Sequence, residues 1–188
     1  MKLSTRTLRR AGATAAAVTA AVLIPTVALA APARPAAPAA APHCTNAQLQ
    51  TWMGLPGDAT AGTTFFELEI SNVSAHSCTL FGFPGVSATG QAAKQVGSPA
   101  VRNSSHPVRL ITLGRGGTAH VDLGIVDALA FPAATCHPVT ATGLRVFAPN
   151  DFQSQVIPFS FRACSKAGPK FLTISPVVAG TGIPLFSS

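Results

Sequence analysis

The sequence predicts an all-β protein, a β-sandwich of seven or eight short strands, on three observations. First, within the segment 63–70, Phe66, Leu68 and Ile70 alternate with Glu67 and Glu69, so one face is apolar and the other charged. A strand with one buried face has this period of two. Second, turn-forming groups recur at regular intervals: Gly-Phe-Pro-Gly at 82–85, Gly-Arg-Gly-Gly at 114–117 and Ala-Pro-Asn-Asp at 148–151. Short strands with such punctuation pack as two sheets. Third, helical signals are poor, and no internal repeat is evident. Only 10% of the 188 residues are charged while 47% are hydrophobic, which excludes charge-driven disorder for most of the chain. Six acids in all and no heptads exclude a coiled coil.

The elements follow in order. Lys2, Arg6, Arg9 and Arg10 form a positive leader, 11–24 is uncharged and largely apolar, and Ala28-Leu29-Ala30 is a small-x-small cleavage site. This reads as a secretory signal peptide over 1–30, cut after Ala30. An uncleaved anchor spanning 11–30 is the competing reading, disfavoured by its Ala/Thr-rich composition and by Gly12 and Pro25 inside it. Residues 31–43 are rich in Ala and Pro, so they read as an extended spacer. The folded domain is then 44–188. Besides 63–70, strands are expected at 78–81, 108–113, 118–123, 140–147, 156–161 and 171–178. In 108–113, Leu110 falls out of phase with Ile111, so its faces are less clean. Segment 45–53 fits a short helix or a strand, since Gly54, Pro56 and Gly57 punctuate either, and 126–129 fits one helical turn. The apolar tail is interrupted by Pro176, Gly180, Gly182 and Pro184 and does not read as a membrane span. With no lipidation cysteine at the cleavage site and no wall-sorting motif, the expectation is a secreted, extracellular monomer with no transmembrane segment after cleavage.

All four cysteines, Cys44, Cys78, Cys136 and Cys164, lie in the domain, and an even count behind an export signal reads as disulfides. Three connectivities are possible. We favour Cys44 with Cys78 and Cys136 with Cys164, because the latter two flank the runs 140–147 and 156–161, a return that brings them together. A metal site is disfavoured: His43 abuts Cys44 and His137 abuts Cys136, and neighbours on a strand point to opposite faces.

Several segments together resemble a family of secreted actinobacterial proteins catalogued as domain of unknown function 4232. They are Ile70-Ser71-Asn72-Val73-Ser74, then Cys78-Thr79-Leu80-Phe81-Gly82-Phe83-Pro84, then Leu113-Gly114-Arg115-Gly116-Gly117-Thr118-Ala119. Cys136, Leu144-Arg145-Val146, Cys164, Val177 and Gly180 complete the pattern, so the resemblance covers about 44–180. It implies an immunoglobulin-like β-sandwich, here of about seven to nine short antiparallel strands with two disulfides, and it implies no activity. The chain has no Tyr, so the tyrosine corner of antibody domains is impossible.

Chemistry is sparse. No nucleophile elbow, zinc-protease or phosphate-loop motif occurs, and we assign no catalytic residue, no metal ligand and no cofactor. Glu67 with Glu69, and His120 with Asp122, each share a strand face. They are the candidates for acid–base work, and both read more simply as a solvated surface. Four of the 13 basic residues leave with the leader, so nine face six acids and the mature charge is +3. That is too low for a nucleic-acid surface. No acid lies between Glu69 and Asp122, a stretch that carries Lys94, Arg102, Arg109 and Arg115. These four are the candidate anion-contacting patch, with Arg162, Lys166 and Lys170 as a second basic group. The expected function is a non-enzymatic binding module at the cell envelope or outside the cell, with an anionic wall polymer or another secreted protein as partner. The alternatives are a secreted inhibitor presenting loop 82–87 or 114–117 and, behind that, a hydrolase. The sequons at Asn72 and Asn103 read as coincidental.

Overall fold

A computed structural model describes residues 40–182 apart from Ser105. The expected signal peptide, the cleavage site and most of the Ala/Pro spacer lie outside these residues. The protein is all-β, and twelve strands form three sheets among the described residues. The largest sheet contains β1 (Leu49–Thr60), β2 (Thr63–Asn72), β8 (Thr118–Val126), β11 (Leu172–Ile174) and β6 (Val101–Arg102) in that order. β12 (Val178–Ala179) also pairs with β8. The second sheet runs β10 (Ser154–Cys164), β9 (Pro138–Phe147), β4 (Gly85–Thr89), β5 (Gln95–Val96). The third is a pair, β3 (Cys78–Phe81) with β7 (Leu110–Leu113).

The strand count exceeds the expected seven to nine because β5, β6 and β12 are two-residue strands, too short to leave a periodic signal. Not every pairing is antiparallel: β11 and β6 run parallel. The segment 45–53 becomes a 3₁₀ turn at Asn46–Gln48 followed by β1. β1 continues through Gly54, Pro56 and Gly57, with register shifts on either side of Pro56. That is possible because β1 is the sheet's edge, where a missing N–H costs no ladder bond. Ala61 and Gly62, at φ 45° and 78°, make the two-residue turn into β2. The run 126–129 ends in a 3₁₀ turn at Ala128–Ala130, followed by the four-residue helix α1 (Ala133–Cys136). The run 171–178 divides into β11 and β12 around Pro176.

One hydrophobic cluster joins the sheets. Leu68 and Ile70 of β2, Val121 and Leu123 of β8, and Leu172 and Ile174 of β11 are buried with Leu144 and Val146 of β9, Leu80 of β3 and Ile111 of β7. Phe66 of β2 meets Phe159 of β10 edge to face at 5.0 Å. Two disulfides, Cys44–Cys78 and Cys136–Cys164, tie the chain entry to β3 and α1 to the end of β10. The last residues of the expected spacer are not loose. Thr79 donates its backbone N–H to the Pro42 carbonyl, and His43 Nε2 lies 2.6 Å from the Pro149 carbonyl.

Candidate functional site

A cleft of about 420 Å³ opens between β7 and the segment carrying β12. Its walls are His106, Pro107, Arg109, Leu110, Ile111, Thr112 and Val177–Ala179. Among the described residues, β7 pairs with β3 on one side only and β12 with β8 on one side only, so each turns an unpaired edge away from its partner. Leu110 projects from the wet face of β7 with 66% of its surface exposed. Around it Val108 and Phe81 are exposed as well. Arg109 stands at the rim, where no ion pair holds it among the described residues. This size and mostly apolar lining are what ligand sites commonly have.

The outer face of the six-stranded sheet carries an unexpected arrangement. Glu67 stands directly opposite Asp122, and Glu69 directly opposite His120. Both glutamates were expected on a solvated face. Instead Glu69 is 2% exposed, because the return of the chain through Gly180–Gly182 lies over it. The Gly182 N–H donates to Glu69 Oε1 at 3.0 Å. Oε2 of Glu69 and Oε2 of Glu67 are buried without a hydrogen-bond partner. Desolvation raises the Glu67 pKa above the usual carboxylate range; His120 works against that, while Glu69 and Asp122 add to it. His120 and Asp122 do not pair with each other. His120 Nδ1 contacts the Gly180 carbonyl at 2.9 Å, and Asp122 takes His106 Nε2 at 3.3 Å. His106 thus joins the acid face to the cleft wall.

The sequence-predicted basic residues fall on four different elements. Lys94 sits in the β4–β5 connection, whose Ala93 carbonyl accepts from Arg145 Nη2 at 2.6 Å. Arg102 lies on β6 with its guanidinium 5.4 Å above the Phe83 ring. Arg109 and Arg115 flank opposite ends of β7. Only Arg109 lines the cleft. Arg115 is exposed at the tip of the β7–β8 turn, which Asn72 builds. Asn72 is fully buried and donates from Nδ2 to the carbonyls of His76, Leu113 and Gly114, and its Oδ1 accepts from Ser74. An amide so engaged is no glycan acceptor. Of the second basic group, Arg162 makes an exposed ion pair with Asp127 at 3.7 Å. No three of His, Cys, Asp or Glu among the described residues are placed to hold a metal ion, and none of their helices is long and apolar enough to cross a membrane.

Sequence reasoning missed Leu110, Thr112 and Val177–Ala179 as a site. The available signal was the phase conflict at Leu110, an apolar side chain on a strand's wet face. The chain is thus a disulfide-linked all-β domain with an open strand edge beside an apolar cleft. Residues 44–178 match the model of the family described as Domain of unknown function (DUF4232), and the chain belongs to that family. No curated protein and no solved structure matches it.

Proposed function

We propose that this chain is an exported, non-enzymatic binding module that acts at the cell envelope or outside the cell, without a cofactor, and holds its partner in the cleft between β7 and β12. One observation carries the reading: an open, largely apolar cleft of about 420 Å³ whose rim presents Arg109, to which no acid is paired among the described residues. The partner therefore has an apolar body and a negative group. The buried carboxylates support a binding role over hydrolysis, since Glu69 is covered and already accepts from Gly182. Retention of the oxidised protein by isolated cell envelopes across a salt series tests the proposal. Retention should fall as salt rises and be lost in Arg109→Glu, while Lys94→Glu, in a turn of another sheet, leaves it unchanged. Retention that ignores Arg109→Glu, or none at any salt, refutes it.

A further inference from the structure

The hydrogen-bond parity of the two strand edges identifies the kind of partner. In an antiparallel ladder a residue points its N–H and C=O either both toward its partner or both away, in alternation. Thr79 of β3 spends both groups on the chain entry: its N–H donates to the Pro42 carbonyl, and its carbonyl accepts from the Cys44 N–H. The bonded pairs between β3 and β7 are therefore Cys78 with Leu113 and Leu80 with Ile111. Leu110 and Thr112 are left to turn their N–H and C=O groups to the free edge of β7, which lines the cleft. The same parity holds across the cleft. The Gly180 N–H donates to the Thr118 carbonyl of β8, whereas the Val177 N–H donates away from β8, to Gly82. Ala179 thus turns its backbone groups toward the cleft too.

We infer that the cleft takes an extended polypeptide segment of another protein, added as a strand to the free edge of β7. This rests on the cleft being the binding site. The backbone of the segment would bond to Leu110 and Thr112, as in strand addition to an open sheet edge. Alternate side chains would cover Leu110 on one face and Ile111 and Val177 on the other. Arg109 at the rim, without an ion pair among the described residues, selects a segment with an Asp or Glu near one end. A wall glycan offers no row of alternating donors and acceptors at peptide spacing, so backbone parity favours the polypeptide.

The test uses the full oxidised chain and capped hexapeptides selected against it from a random displayed library. At saturation, the selected peptides should slow amide exchange of Leu110 and Thr112 by at least about tenfold. N-methylation at alternate peptide positions should weaken binding by about tenfold or more, while methylation at the intervening positions leaves it nearly unchanged. Thr112→Pro should abolish binding without loss of fold, because the proton it removes faces the cleft and not β3. The N-methyl series decides the matter should that variant not fold. If no peptide is selected, or selected peptides leave Leu110 and Thr112 exchange unaltered, strand addition is overturned. Arg109-dependent retention by envelopes would survive that result if the cleft is the site, and it would then survive protease treatment of the envelopes as well. Loss of Arg109 dependence sinks the site itself.

Discussion

Replacing Glu67 with Gln should stabilise the protein at pH 8 and leave its stability unchanged at pH 4. Glu67 faces Asp122 directly across the β2–β8 ladder and lies two positions from Glu69 on the same face. Like charges placed opposite each other on a sheet cost roughly 0.2–1 kcal/mol. Glu67 and Asp122 are each only partly covered, so solvent screening reduces the Coulombic part. Attraction to His120 offsets some of it further whenever that ring is protonated. Releasing one charge should then give about 0.2–0.5 kcal/mol, or a rise in melting temperature of roughly 1–2 °C for a domain of this size. The sign follows from linkage. Burial raises the folded-state pKa of Glu67 above its unfolded value, so the native state holds that proton more tightly. The group's contribution is fully present below the unfolded pKa and is lost as pH rises through the folded pKa. Gln carries no charge to lose, so its advantage appears only above that window and shrinks with added salt. Thermal unfolding of both proteins at the two pH values reads this directly. A destabilised variant at pH 8 would show that the Glu67 carboxylate has a favourable partner, and an equal gain at pH 4 would show that the gain does not come from its charge; either refutes the repulsion argument.

Other outcomes follow from the same geometry. Removing Cys44–Cys78 or Cys136–Cys164 as Cys→Ala pairs opens loops of 34 and 28 residues, and each loss should cost about 3.5–4 kcal/mol in denaturant unfolding. Gly97→Ala should cost roughly 2–5 kcal/mol, since φ is +65° and a Cβ would stand 2.2 Å from the Cys164 carbonyl oxygen; Gly62→Ala, at φ +78° in open space, should cost only about 1–2 kcal/mol. Asn72→Ala strips three carbonyls of a donor and should cost about 3 kcal/mol, with the 114–117 turn becoming the fastest-exchanging part of the β7–β8 connection by hydrogen exchange. Asp151 is held below the usual carboxylate range by the backbone N–H groups of Gln153 and Asn46, so its contribution is present above the unfolded pKa and lost as pH falls through the folded one; Asp151→Asn should flatten the acid limb of the stability profile.

The sequence made the core faces legible wherever the period of two was clean. Phe66, Leu68 and Ile70 announce β2, and the same rule puts Glu67 and Glu69 on its other face. What it could not show is that the outer face has its own cover. Burial of Glu69 depends on the chain returning through Gly180–Gly182, some 110 residues later, and periodicity within β2 carries no information about that return. β1 was obscured for a related reason. Pro56 and its flanking glycines read as breaks, yet a sheet edge tolerates them, and whether a strand is an edge is a property of topology. The acid-free stretch between Glu69 and Asp122 was visible as charge. Its fate was not, because that stretch threads β3 to β7 through all three sheets and delivers Arg102, Arg109 and Arg115 to separate elements.

The return segment also links the two unusual features of the molecule. Ser175 accepts the Asp122 N–H on its hydroxyl and gives its own N–H to the Asp122 carbonyl, which anchors the segment at the acid face. Three residues later Val178 pairs with His120, leaving Ala179 to face the cleft, and Gly182 then closes over Glu69. A Cβ at position 182 would stand 2.5 Å from the Glu67 carboxyl carbon, so a larger residue there must push the end of the Glu67 side chain aside. The position of the cleft's second wall therefore depends on the contacts that cover the carboxylates. Displacing the segment at Gly182 would break its N–H contact to Glu69 and loosen the wall that carries Ala179. The open edge of β7 stays fixed throughout, held by β3 and by the Cys44–Cys78 bond behind it.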